Sequence, residues 1–242
     1  MSNERAAAKL KVSHDTITLQ HNSLSKLWQV PNSDNWCSLE RAVLNSFKRE
    51  GWNGYAREGG LILNLIKAAS FKLIPIRQRL SVVEALYAKN VSFQEDVYES
   101  EFMLQNIIDS NIDQISNNFR IMVEKIEYGR RRPKSPEESV EFYYNSQSVL
   151  DMFPDLTETL FRELYSTLGA ERLHSVARIF SIDPYEYRKG WPDLIIWKGD
   201  LLRFVEVKAP NDSIRPSQKK IILDILKPLD FDITILDVVK DQ

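Results

Sequence analysis

The chain has 242 residues, 43% of them hydrophobic, enough to bury a sizeable core in one large domain or two small ones; one domain is the preferred reading. Its formal net charge of -2 supplies no overall basic field, although a phosphate backbone responds to local clustering rather than to the sum. A single cysteine, Cys37, excludes an intramolecular disulfide and a thiolate zinc site.

Residues 1–22 are polar without a sustained period and are expected to be disordered, leaving 23–242 as the folded domain. Met1 to Lys11 lacks the apolar stretch of a secretory signal and no later run reaches membrane-spanning length. The expected location is therefore cytoplasmic, or nuclear in a eukaryote. Trp36 to Glu50 reads as a helix, capped by Ser33 or Asp34 and stopped by Gly51, with Trp36, Val43, Leu44 and Phe47 on one face. Glu40 stands on that face, where a carboxylate is costly unless it has a cationic or metal partner; a solvated helical glutamate is the ordinary alternative.

The glycine-dense run Trp52 to Gly60 then leads into a second helix, Leu61 to Phe71, apolar over most of its surface. Glu58 lies beside the start of that helix, where the dipole favours a carboxylate, and an ordinary acidic first turn is the plainer explanation. From Pro75 to Tyr128 the apolar stripes are helical and suit a core. The breaker Gly129 to Pro136 carries Arg130, Arg131, Arg132 and Lys134, either a solvated loop or a contact for phosphates. Further helices are expected over Glu137–Ser146, Leu156–Leu168 and Ala170–Phe180, with Gly169 as the break. His174 has no partner at metal spacing, because His14 and His21 are remote in sequence.

Two strand-like runs follow, Leu194 to Trp197 and Leu201 to Val207, with Gly199-Asp200 as a two-residue hairpin signal. If those residues form the loop, Lys198 pairs with Leu201. Counting outward sets Asp193 opposite Glu206, with Lys208 on the same face as Glu206. Facing carboxylates repel, so this register favours a cation between them, and a hard ion such as Mg2+ suits oxygen ligands. The plainer alternative is the solvated face of an amphipathic hairpin. A helix from Ser213 to Leu226, carrying Gln218, Lys219 and Lys220, and a strand from Phe231 to Val239 close the chain.

Pro192-Asp193, Glu206-Val207-Lys208 and Gln218 together resemble the P-D...(D/E)-x-K nuclease superfamily. The string Phe204 to Asp212 is similar to the virus-type replication-repair nuclease (VRR-NUC) domain of the Fanconi-associated nuclease family. Another Pro-Asp, at Pro154-Asp155, has no Glu-x-Lys behind it. The resemblance implies an α/β, restriction-endonuclease-like core, a central mixed sheet flanked by helices, with a large helical insertion. The helical part would run over about 23–180, and 185–242 would complete the catalytic core. It implies Mg2+- or Mn2+-dependent hydrolysis of phosphodiester bonds in flapped, branched or junction-containing DNA, in repair or recombination.

Glu58-Gly59 resembles the family's Glu-Gly, whose glutamate joins the metal site. On that basis Glu58, Asp193, Glu206 and the Val207 carbonyl are the expected ligands, with Glu40 in a supporting role. Lys208 would orient hydroxide or neutralise charge on phosphorus, and Gln218 would position Lys208 or the phosphate. Tyr185 to Lys189 resembles the family's approach to Pro-Asp. The basic residue that the family carries after Asn-Asp is Ser213 here, so Arg215 would serve instead. Expected DNA contacts are thus Arg130, Arg131, Arg132, Lys134, Arg188, Lys189, Arg215, Lys219 and Lys220. Two rival readings are an inactive nucleic-acid-binding module on this fold and a helical interaction protein.

Overall fold

The computed structural model describes residues 2–75, 78–88, 99–124, 126–127 and 146–241. Order begins at the N-terminus, contrary to expectation: α1 (Asn3–Leu10) is capped by the Ser2 hydroxyl, and β1 (Ser13–His21) joins the central sheet. α1 buries Ala6, Ala7 and Leu10 in the core, whereas Leu19 is the one fully buried residue of β1. With mostly Thr, His, Asp and Gln around it, β1 hides its alternation, and its pairing with the C-terminal strand rather than its own apolarity holds it in place.

A short strand, β2 (Trp28–Gln29), pairs back on β1 and leads to α2 (Leu39–Arg49). The cap of α2 is Ser38 rather than Ser33 or Asp34, because Trp36 and Cys37 remain extended and Cys37 bridges to Trp28. β3 (Asn53–Ala56) is an edge strand, and α3 (Gly60–Ala69) follows immediately. The helical part continues with α4 (Val83–Tyr87), α5 (Ser100–Ile108) and α6 (Ile112–Val123). A small ladder of β4 (Ile126–Glu127) and β5 (Ser146–Gln147) precedes α7 (Val149–Met152). α8 (Glu158–Phe180) is broken where expected, at Gly169, whose φ of 76° and ψ of 160° are non-helical. The expected helix at Glu137–Ser146 lies outside the described residues except at its last position.

After α9 (Pro184–Tyr187) comes the hairpin of β6 (Leu194–Lys198) and β7 (Leu201–Lys208), with Lys198 paired to Leu201. α10 (Pro216–Ile221) is shorter than expected and runs into one π-helical turn, Ile222–Leu226, before β8 (Asp232–Lys240). The sheet order is β2-β1-β8-β7-β6-β3, with β8 parallel to both β1 and β7 and the other pairs antiparallel.

Strand alternation divides the core into two layers. Ile195, Trp197, Leu202 and Phe204 face α3, α5, α6 and α8, whereas Leu194, Ile196, Val205 and Val207 face α2. Helices thus cover both faces of a mixed sheet, as the restriction-endonuclease-like reading expects. No helix among the described residues is long and apolar enough to cross a membrane.

Candidate active site

The hairpin register sets the site. Leu194 pairs with Val205, so Asp193, one residue before β6, falls opposite Glu206, and its Oδ2 accepts a 2.9 Å hydrogen bond from the Val207 amide. Parity puts Asp193, Glu206 and Lys208 on the face of Ile195 and Phe204, toward α3 and α8. Glu206 and Lys208 are 0% and 1% exposed, which excludes the reading of a solvated hairpin face.

Lys208 Nζ lies 2.9 Å from Glu206 Oε1 and 3.6 Å from Asp212 Oδ2, and donates to Gln218 Oε1 at 3.1 Å. Gln218 is buried; its Nε2 donates to Glu206 Oε1, and its Oε1 also accepts from the Arg215 amide at 2.8 Å. One glutamine therefore clamps both members of the ion pair to the start of α10. The sequence reading assigned no role to Asp212; its position four residues beyond Lys208 was the available signal. Asn3, from the segment expected to be disordered, donates to the Asp212 carbonyl at 3.0 Å and so ties α1 to this loop.

The buried charges are unbalanced. Burial first, and then repulsion from Asp193, hold the Glu206 carboxyl well above the usual carboxylate range, with Lys208 opposing both. Asp193 is pushed up to about 6 by burial, and further by the charge of Glu40, against the Val207 amide bond. Among the described residues Glu206 Oε2 is buried without a hydrogen-bond partner. An orphaned carboxylate oxygen beside a second raised carboxyl is a feature that a bound cation would satisfy.

The other candidate carboxylates lie on different elements. Glu58 precedes α3, on the same side of the sheet as Glu206, and its Oε1 accepts from the Gly190 amide at the entry to Pro192-Asp193. Glu40 begins α2, which packs on the opposite face, although its charge is felt at Asp193. Among the described residues no three His, Cys, Asp or Glu side chains are gathered closely enough to hold a metal. The glycines after Glu58 leave no open space: a Cβ on Gly59 would meet Trp191 at 2.9 Å, and one on Gly60 would meet Phe153 at 2.8 Å.

Of the expected DNA contacts, Arg188, Lys189, Arg215, Lys219 and Lys220 are exposed. Gly190, at a φ of 86°, sits so tightly on the Ser217 backbone that an added Cβ would come within 2.4 Å, which draws Arg188 and Lys189 alongside α10. Arg188 stacks on Tyr185 and lies 3.8 Å from Glu84; Lys220 lies 3.8 Å from Asp224. Arg130, Arg131, Arg132 and Lys134 lie outside the described residues.

A helix-flanked mixed sheet whose hairpin ends in an Asp, Glu and Lys constellation defines the restriction-endonuclease-like class of α/β fold. Within that class, residues 129–240 match the VRR-NUC domain family. Fanconi-associated nuclease 1 of Ailuropoda melanoleuca is 38% identical over 92 residues, 37% of this chain and 9% of that protein. The Fanconi-associated nuclease 1 homolog of Oryza sativa subsp. japonica is 23% identical over 212 residues, 84% of this chain and 20% of that protein. The matches thus span a fifth or less of these relatives' lengths. The crystal structure of paFAN1 bound to a 2-nt 5'-flap DNA with gap superposes with a TM-score of 0.60 at 19% identity, over 98% of this chain and 41% of that one. A second paFAN1 structure, with a 1-nt 5' flap, gives 0.59 at 20% identity over 98% and 42%.

Proposed function

We propose that the chain is a divalent-cation-dependent DNA nuclease selective for flapped or branched substrates, acting in repair or recombination. The observation that carries this reading is the buried Glu206–Lys208 pair, with Glu206 Oε2 left without a partner beside a raised Asp193. The VRR-NUC match, and the flap DNA bound in the paFAN1 structures, support the same chemistry.

Asp193, Glu206 and the Val207 carbonyl would hold Mg2+ or Mn2+. Glu58 would complete the set by exchanging its bond to the Gly190 amide for the ion, a reading that its place on the Glu206 side of the sheet supports. Such an ion supplies Lewis acidity and lowers the pKa of a water molecule. Lys208, held by Glu206 and Gln218, would turn the donor that faces Asp212 at 3.6 Å toward the attacking oxygen or the charge that develops on phosphorus. Gln218 keeps Lys208 and Glu206 in register. Arg188, Lys189, Arg215, Lys219 and Lys220 would take backbone phosphates, with the Arg130–Lys134 run as a further contact.

The test is a panel of labelled linear, nicked, flapped and four-way DNA, digested in Mg2+ and in Mn2+. Because Glu206 and Lys208 are fully buried, the matched variants keep side-chain volume: Glu206→Gln and Lys208→Met. The natural chain should cut flapped or branched DNA, and both variants, melting as folded proteins, should fall at least a hundredfold, in line with the roughly 10²–10³ cost of removing one such stabilising group. Cleavage by either variant at the natural rate would overturn the assignment, as would no cleavage of any substrate with either ion.

A further inference from the structure

A cleft of about 590 Å3 opens beside the catalytic end of the sheet, between α2, β3 and the segment that leads into α8. Ala56, in its lining, pairs with Leu194, the residue after Asp193, so the cleft reaches the end of the sheet that carries Asp193, from the α2 side. Three features of its walls have no structural use. Trp36, part of the lining, is 42% exposed, an apolar plane open to solvent. Lys48 is exposed and makes no ion pair among the described residues, while Arg41 is shared with Asp155. Tyr55 is 3% exposed, yet its buried hydroxyl finds no partner among the described residues, and its charged neighbours Arg41 and Asp155 both line the cleft.

An aromatic plane, a spare cation and an unmatched hydroxyl in one cleft are the recognition chemistry of a single nucleic-acid strand. A duplex hides its base faces in the stack, so only an unpaired base can lie on Trp36. We infer that this cleft holds the unpaired strand of the DNA substrate. One base stacks on Trp36, the adjoining phosphates meet Lys48 and Arg41, and the Tyr55 hydroxyl hydrogen-bonds the strand. The inference rests on the nuclease reading and deepens it, because it gives the preference for flapped over blunt DNA a physical location.

Binding is measured in EDTA, where no cleavage occurs, by fluorescence anisotropy of a short labelled oligothymidylate and of a blunt duplex. Trp36→Ala should weaken the single strand by roughly tenfold, the scale of one lost stacking contact, and leave the duplex unchanged. Lys48→Ala should reduce the slope of log affinity against log salt by about 0.7, the value for one phosphate on a single strand. Tyr55→Phe, which keeps the ring, should weaken the single strand a few-fold. Trp36 and Lys48 are exposed, so thermal melting should show both variants folded. Natural affinity of Trp36→Ala for the oligothymidylate, or an equal loss for the duplex, would overturn the inference. If that happens while flapped DNA is still cut through Glu206 and Lys208, the nuclease reading survives alone. If oligothymidylate binding depends on Trp36 but nothing is cut, the cleft stands and the nuclease reading falls.

Discussion

Lys67 offers a quantitative test of the structure away from the candidate site. It lies in the last turn of α3, 2% exposed, its ammonium bonded to the Arg79 carbonyl, and desolvation lowers its pKa from 10.5 to about 7. Between those values the unfolded chain holds a proton that the folded chain has released, so stability rises with pH from about 7 to about 10.5. Below pH 7 both states are charged and the folded chain bears the whole desolvation penalty. The shift of about 3.5 units corresponds to about 5 kcal/mol at roughly 1.36 kcal/mol per unit. Lys67→Met keeps the stem in the core and forfeits one hydrogen bond, worth about 1 kcal/mol. The variant should therefore be more stable at neutral pH by about 4 kcal/mol, or roughly 8–16 °C in Tm for a chain of this size. Melting both proteins from about pH 6 to about pH 10 should show the advantage shrinking as pH rises, with other titrations cancelling in the difference. An advantage that does not vary with pH, or a variant that is less stable at pH 7, would refute the buried, uncompensated lysine.

Glu58→Gln should abolish most cleavage and weaken Mn2+ binding, whereas Glu40→Gln, on the other side of the sheet, should slow the rate more modestly; single-turnover kinetics with Mn2+ titration decide the order. Arg130, Arg131 and Arg132 changed together to Ala should weaken DNA binding without altering sequence preference, reducing the salt slope by about one unit per lost phosphate contact. Mn2+ binding should also follow pH. Asp193 and Glu206 have raised carboxyl pKa values, so the folded chain keeps protons that the unfolded chain gives up, and metal-free stability falls as pH rises from about 4 through about 6. An ion at those carboxylates displaces the protons, so the gain in Tm from Mn2+ should be small at pH 5 and larger at pH 8. A gain equal at both would place the ion elsewhere.

The sequence by itself determined whatever depends on local counting. Gly199-Asp200 set the hairpin, the hairpin set Asp193 opposite Glu206, and strand parity put Lys208 beside them. Gly169 marked the break in α8 for a similarly local reason, a backbone conformation that suits glycine. Elsewhere the deciding interactions come from far along the chain. β1 is too polar to announce itself and exists because β8, more than 200 residues later, offers a parallel partner. What packs against the glycines after Glu58 is also decided at a distance, by Trp191 and Phe153. Burial itself was decided only in the tertiary structure. Glu206, Lys208 and Gln218 carry sequence labels that suit a solvated face equally well, and only the closing of α8 and α10 over the sheet removes them from water. That desolvation raises the carboxyl pKa values and leaves Glu206 Oε2 without a partner among the described residues.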